Sequence, residues 1–145
     1  MQISILIPSY NRQELLLKNL QSLNAQTVKN FCVTVIDNGS NPPINIDHFE
    51  AHFKISLSRN NHNTDLKILI NNWLKSVESD IILILADDDI LLPKTIELVL
   101  GCFKSSSDIE SLGGGFTKFS HQHKITHAKH KYSNQLYSTK HTVLG

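Results

Sequence analysis

Ile81-Ile82-Leu83-Ile84-Leu85-Ala86-Asp87-Asp88-Asp89 passes from six apolar residues straight into three carboxylates. A short apolar run without alternation is the pattern of a strand buried on both faces, as in a parallel sheet covered by helices. Three adjacent carboxylates at its end repel one another unless a cation or water compensates them. Hard divalent ions such as Mg²⁺ or Mn²⁺ take oxygen ligands of this kind and complete their shell with substrate phosphates. The plain alternative is a solvated acidic turn ahead of a helix opened by Pro93.

Upstream, residues 3–7 form a second nearly continuous apolar run, ended by Pro8. Asn11 then reads as an N-cap with Glu14 as its capping-box partner. Leu16, Leu20 and Leu23 recur at helical spacing, which predicts a helix over about residues 12–24. Residues 31–36 predict another strand, stopped by the turn signal Asp37-Asn38-Gly39-Ser40. A shorter strand over 53–57 follows, then a helix carrying Leu66, Ile70, Trp73, Leu74 and Val77, and a helix over 94–104 beyond Pro93. Leu112-Gly113-Gly114-Gly115-Phe116 suggests a further strand or glycine-rich edge. This order of elements predicts an α/β sandwich with a mostly parallel sheet, in which ligands bind beyond the carboxyl ends of the strands. Three polar clusters lie at those ends: Pro8-Ser9-Tyr10-Asn11-Arg12, Asp37-Asn38-Gly39-Ser40 and residues 87–89.

Each cluster has a structural and a chemical reading. Asp37 either closes its turn by accepting backbone N–H groups or accepts a ring N–H of a base. Pro8, Ser9 and Tyr10 either terminate a strand or wall a base pocket, with Arg12 supplying charge to phosphates. His48 and His52, four apart, lack an evident third metal ligand, and a solvated helix face explains them. No Gly-x-Ser-x-Gly elbow, Walker loop or Gly-x-Gly-x-x-Gly motif is present.

At 145 residues and 40% hydrophobic content, the chain suits one globular domain with a core. A net charge of +1 gives no basis for nucleic-acid binding. Residues 1–115 hold nine basic and thirteen acidic side chains, whereas the chain from residue 116 onward has five lysines, five histidines and no carboxylate. An acidic body is thus followed by a basic tail, suited to peripheral contact with an anionic lipid surface. No apolar run approaches the length of a membrane span, and the N-terminus lacks the pattern of a secretory leader. Cys32 and Cys102 sit in apolar stretches and read as buried free thiols of a cytoplasmic protein.

Taken together, residues 3–12, Val35-Ile36-Asp37-Asn38-Gly39-Ser40 and Leu85-Ala86-Asp87-Asp88-Asp89-Ile90-Leu91-Leu92-Pro93, with the helix carrying Asn71 between them, resemble the family 2 glycosyltransferases of GT-A fold. The resemblance covers about residues 1–118. It implies a Rossmann-like GT-A sandwich that binds a UDP- or dTDP-sugar with Mg²⁺ or Mn²⁺. It also implies a glycan or glycolipid acceptor of the cell-surface polysaccharide or lipopolysaccharide type, and work at the cytoplasmic face of the membrane. Carried over residue by residue, Pro8, Ser9 and Tyr10 line the base pocket beside Arg12. Asp37 accepts the base N–H, Asp87 meets the ribose or sugar, and Asp88 bridges to the metal.

Two positions depart from the commoner family pattern, Ala86 and Asn38, where many members carry aspartates. The downstream carboxylate that deprotonates the acceptor in inverting members has no counterpart, since no Asp or Glu follows Glu110. No catalytic base is therefore assigned. The expectation is a donor-binding half, residues 1–118, followed by a basic stretch, residues 119–145, that begins an incomplete acceptor side. A catalytically inactive nucleotide-sugar-binding fragment is the alternative. A phosphoacceptor receiver domain is set aside, because its acidic pair after the first strand is replaced by Pro8-Ser9-Tyr10.

Overall fold

The computed structural model describes residues 1–113 and two short strands, Thr117–Lys118 and Thr126–His127. In chain order the elements are β1 (Ile3–Ser9), α1 (Gln13–Asn24), β2 (Phe31–Asp37), β3 (Lys54–Arg59), α2 (Leu66–Leu74), β4 (Ile81–Ile84) and α3 (Thr95–Ser105). Thr117–Lys118 and Thr126–His127 are β5 and β6, paired antiparallel. The chain divides into two compact units, Met1–Leu98 and Val99–Gly145. The boundary expected after residue 118 involves residues outside the described ones, as do Gly114, Gly115 and Phe116 of the expected glycine-rich strand.

Strands β1 to β4 form one sheet in the order β3-β2-β1-β4, parallel throughout. From β1 the chain steps through α1 to β2 and β3 on one side, then crosses by α2 to β4 on the other side of β1. Strand order therefore reverses at β1, and the carboxyl ends of β1 and β4 flank the switch point where such sheets leave a crevice.

Side chains alternate across a sheet, so Ile3, Ile5 and Ile7 face away from Leu6. Leu6 packs with Ile36, Leu69 and Trp73, which seats α2 on that face. Ile3, Ile5 and Ile7, with Leu16, Leu20 and Leu23 of α1, are at most 1% exposed, the pattern of α1 covering the opposite face. Among the described residues no helix is long and apolar enough to cross a membrane.

Local details correct several expectations. Arg12, not Asn11, stands at the N-cap of α1, with no side-chain cap bond. Asn11 adopts a left-handed backbone (φ 55) and turns its side chain to accept the N–H of Asn41, so the capping box with Glu14 does not form. The strands β2 and β3 run on to Asp37 and Arg59, because each extra residue extends the parallel ladder. His48 and His52 lie outside any helix. Both cysteines are free, yet Cys32 is half-buried and Cys102 exposed. On α3 the buried side chains are Ile96 and Leu100, and Cys102 falls about half a turn away from Leu100.

Replacing Leu20 by Ala removes a fully buried side chain from α1. We expect a loss of about 2–5 kcal/mol, read by urea unfolding with Trp73, the sole tryptophan, as fluorescent probe. A loss below about 1 kcal/mol would show that α1 is not packed on the sheet.

Candidate functional site

The parallel register places Ser9 of β1 beside Asp37 of β2, and Asp37 beside Arg59 of β3. Beyond β4 the N–H of Leu85 still donates to the carbonyl of Leu6 at 2.9 Å, which carries the chain toward Asp87 at the same end of the sheet. The sequence clusters at the ends of β1 and β4 meet there. The Ser9 hydroxyl donates to Asp87 Oδ2 at 2.6 Å, and Arg12 Nη1 donates to Asp87 Oδ1 at 3.1 Å. The same nitrogen reaches Asp88 Oδ2 at 3.2 Å. Asp87 is buried, whereas Asp88 and Asp89 are exposed. The bond to Asp87, and then the charges of Asp87 and Asp88, raise the Arg12 pKa further, so its positive charge is permanent. Tyr10 is exposed and Pro8 half-buried at the end of β1.

Asp37 anchors a second network one strand away. Its carboxylate, 1% exposed, accepts the N–H of Ser40 at 2.8 Å, the N–H of Ile44 at 3.1 Å and Arg59 Nη1 at 3.1 Å. Burial alone would raise the Asp37 pKa. The Ser40 hydroxyl and N–H, the Ile44 N–H and the Arg59 charge outweigh burial and hold it below the ordinary value. The three donors occupy most of the roughly four acceptor sites of the carboxylate and close the turn. Beside it, Asn38 donates to Asn63 Oδ1 and the Thr64 carbonyl, and accepts from Asn60 Nδ2 and the Thr64 N–H. Gly39, at φ 85, allows the approach: a Cβ there would lie 2.5 Å from the carbonyl carbon of His62.

The acidic turn is held from below by residues that the leucine pattern of α1 concealed. Asn19, fully buried, donates both amide hydrogens, to the carbonyls of Ala86 and Asp89, each at 2.8 Å. Its Oδ1 is buried without a partner. Ser22 accepts the N–H of Leu91, and Gln26 donates to the Leu92 carbonyl while accepting the N–H of Ile96. Asn19 and Ser22 lie three apart on one face of α1, and Gln26 follows just beyond the C-cap Ala25. That spacing was visible in the sequence, but its partners, residues 86–96, were not. Arg59 was missed for a similar reason, since only strand pairing brings it to Asp37.

Two clefts border the loop network around Asp37 and Asn38, and neither is lined by Ser9, Arg12, Asp87 or Asp88. One of about 480 Å³ lies beside β3 and α2 and is lined by Thr34, Ser58, Asn60, Thr64 and Trp73 among others. The other, about 630 Å³ and more apolar, opens between α1 and the loop after β2, near Asn11, Ser40, Pro42 and Phe49. Among the described residues no three His, Cys, Asp or Glu side chains converge as a ready-made metal cage.

Comparison with known proteins agrees with this geometry. The model of the family described as Glycosyl transferase family 2 matches residues 4–143. A protein of Haemophilus influenzae named "Uncharacterized glycosyltransferase" is 31% identical over 107 residues, covering 74% of this chain and 36% of its own. The "Uncharacterized glycosyltransferase YfnE" of Bacillus subtilis is 35% identical over 115 residues, covering 77% and 29% respectively. The chain thus spans about a third of the length of these curated relatives. Solved structures of S. aureus TarS 1-349, in complex with UDP and with UDP-GlcNAc, share the fold. Their TM-scores are 0.63 and 0.62 at 22% and 21% identity, and each match covers 72% of this chain and 32% of the other.

The Asp37 network yields a pH prediction. Its folded pKa is depressed, so its contribution is fully present above the unfolded value and is lost as pH falls through the lower folded value. Asp37→Asn should cost about 1–3 kcal/mol near pH 7. The difference from the unsubstituted chain should shrink as pH drops below the carboxylate range, measured by urea unfolding across pH. A pH-independent difference would remove the carboxylate charge from the account.

Proposed function

Because the chain belongs to glycosyltransferase family 2, we propose that its strand-end cluster binds a nucleoside diphosphate sugar together with a divalent cation, in service of sugar transfer to a cell-surface glycan or glycolipid. The observation that carries this reading is the Ser9–Asp87–Arg12–Asp88 cluster at the switch point of the sheet. TarS, of the same fold, has been solved with UDP and with UDP-GlcNAc, which supports a UDP-sugar as the donor class, with a dTDP-sugar the other candidate.

The residues present fit Mg²⁺ or Mn²⁺ in its open mode, in which one or two carboxylates hold the ion and substrate phosphates complete the shell. Asp88 is exposed and carries hard oxygens, and Arg12 is its one ion-pair partner among the described residues. When bound, such an ion stabilises the negative charge that develops on the diphosphate as the glycosidic bond breaks. Asp87, fixed by Ser9 and Arg12, presents a rigid carboxylate edge toward the ribose or sugar. Tyr10, exposed beyond β1, supplies a ring for the base to rest on, with Pro8 as the floor. Asp37 serves this pocket by shaping the loop after β2, and its carboxylate meets a base N–H only if one of its internal donors yields. Residues 1–118 constitute the donor side in this reading. The lysines that follow suit contact with an anionic lipid surface on the cytoplasmic side, where the acceptor would be met.

Asp88→Ala tests the assignment. Calorimetric UDP affinity should be higher with Mn²⁺ than with EDTA for the unsubstituted chain, and the substitution should abolish that increment while leaving the unfolding midpoint nearly unchanged. Equal affinity with Mn²⁺ and with EDTA in the unsubstituted chain would refute the metal-dependent reading.

A further inference from the structure

Arg12 occupies the place where the donor's cation is proposed to sit, and that placement has an energetic consequence. Its guanidinium is the one cation paired with Asp87 and Asp88 among the described residues, and Asp88 Oδ2 is only 3.2 Å from Nη1. The two contacts are unlike in kind. Asp87 is buried and doubly held, by Ser9 and by Arg12. Asp88 is about half exposed, as is Arg12, so their contact is the looser one and is open to exchange. A +2 ion bound to Asp88 would stand within a few ångströms of a permanent +1 charge, and the two would repel even through the solvent that screens this half-exposed pair.

The helix end adds a second cost. Arg12 is the N-cap of the twelve-residue helix α1, at the positive end of its dipole, where a cationic side chain is unfavourable unless acids compensate it. Asp87 and Asp88 provide that compensation in the ligand-free chain. Once a cation neutralises Asp88, the guanidinium, the helix end and the ion form a concentration of positive charge suited to a diphosphate. Its planar fork is suited to phosphate oxygens.

We infer that Arg12 is a resident counter-ion of the acidic turn, exchanged from Asp88 by the divalent cation and taken up by the diphosphate of the nucleotide. This rests on the metal and nucleotide reading of the site given above. The exchange makes the two ligands cooperative: the ion binds weakly while Arg12 holds Asp88, and binds well once the diphosphate draws the guanidinium away.

The test is Mn²⁺ binding followed by electron paramagnetic resonance on the chain as it stands, with and without UDP. Arg12→Ala should tighten Mn²⁺ binding to the nucleotide-free chain by about fivefold or more. It should also shrink the enhancement that UDP confers on Mn²⁺ affinity. Arg12→Lys, which keeps the charge, should stay close to the original weak binding. Circular dichroism confirms that each variant is folded, and if Arg12→Ala is unfolded the Arg12→Gln variant takes its place with the same expectation. Unchanged or weaker Mn²⁺ binding in the folded charge-removing variant overturns the exchange. If Asp88→Ala abolishes Mn²⁺ binding in the same experiment, the site reading stands while the exchange falls. Absence of Mn²⁺ binding in the original chain, with or without UDP, overturns both.

Discussion

Burial of the Asp87 carboxylate at the end of β4 constrains everything around it. An ionised carboxylate out of water is costly unless it is paired and hydrogen-bonded. Here the hydroxyl of Ser9 and the guanidinium of Arg12 meet its two oxygens from the end of β1. Both strands must therefore be neighbours, parallel and in register, for the charge to be tolerated. The ladder from Ile3↔Ile81 to Leu6↔Ile84 supplies that alignment. The reversal of strand order that makes β1 and β4 neighbours is the topological switch point beside which open α/β sheets generally bind their ligands.

Helix α1 serves the site from two sides of its surface. Its leucines at 16, 20 and 23 are buried, while its side chains at 19 and 22, with Gln26 just past its end, grip the segment that carries the acidic turn. Gln13 and Asn24 do the same for the loop after β2. Gln13 exchanges two hydrogen bonds with the backbone of Asn45, and Asn24 bonds the carbonyl of Glu50 and the N–H of His52. The Lys29 ammonium donates to the carbonyls of Leu23 and Asn24 at the C-terminal end of the helix, and to that of Gln26 just beyond it. Loops at the strand ends, where mobility would be expected, are thus tied to a helix by side chains that both donate and accept.

Two buried aspartates, Asp37 and Asp87, illustrate separate uses of one residue type. Asp37 is tied into the structure: Ser40, Ile44 and Arg59 donate to it, and the loop after β2 is folded around it. Asp87 is held but keeps company with exposed charges, Arg12 on one side and Asp88 on the other. The first arrangement favours a single conformation. The second leaves a pairing with exposed charges, the one that the proposed cation and diphosphate would rearrange.

Burial on both faces holds for β1 but fails for β4, the end strand of the described sheet, whose Ile82 and Ile84 are 41% and 46% exposed. The apolar runs before Pro8, Asp37 and Asp87 were nonetheless legible as strands because short apolar runs stopped by turn residues have few other uses. The three polar clusters were legible as strand ends for the same reason, and together they carried the family resemblance. Helix α1 was legible from Leu16, Leu20 and Leu23, but its cap was not. Asn11 prefers to bond Asn41, thirty residues away, and no local rule weighs a distant partner. In sequence, residues 87–89 are three identical carboxylates with nothing to rank them beyond their order. Only the folded chain makes Asp87 buried and leaves Asp88 exposed, because Ser9 and Arg12, some 75 to 78 residues away, approach from a strand that the sheet order places alongside. The sequence determined which segments become strands and where charge collects. The tertiary structure decided which carboxylate is buried and paired and which stays exposed, because that choice depends on partners that only strand pairing brings within hydrogen-bonding distance.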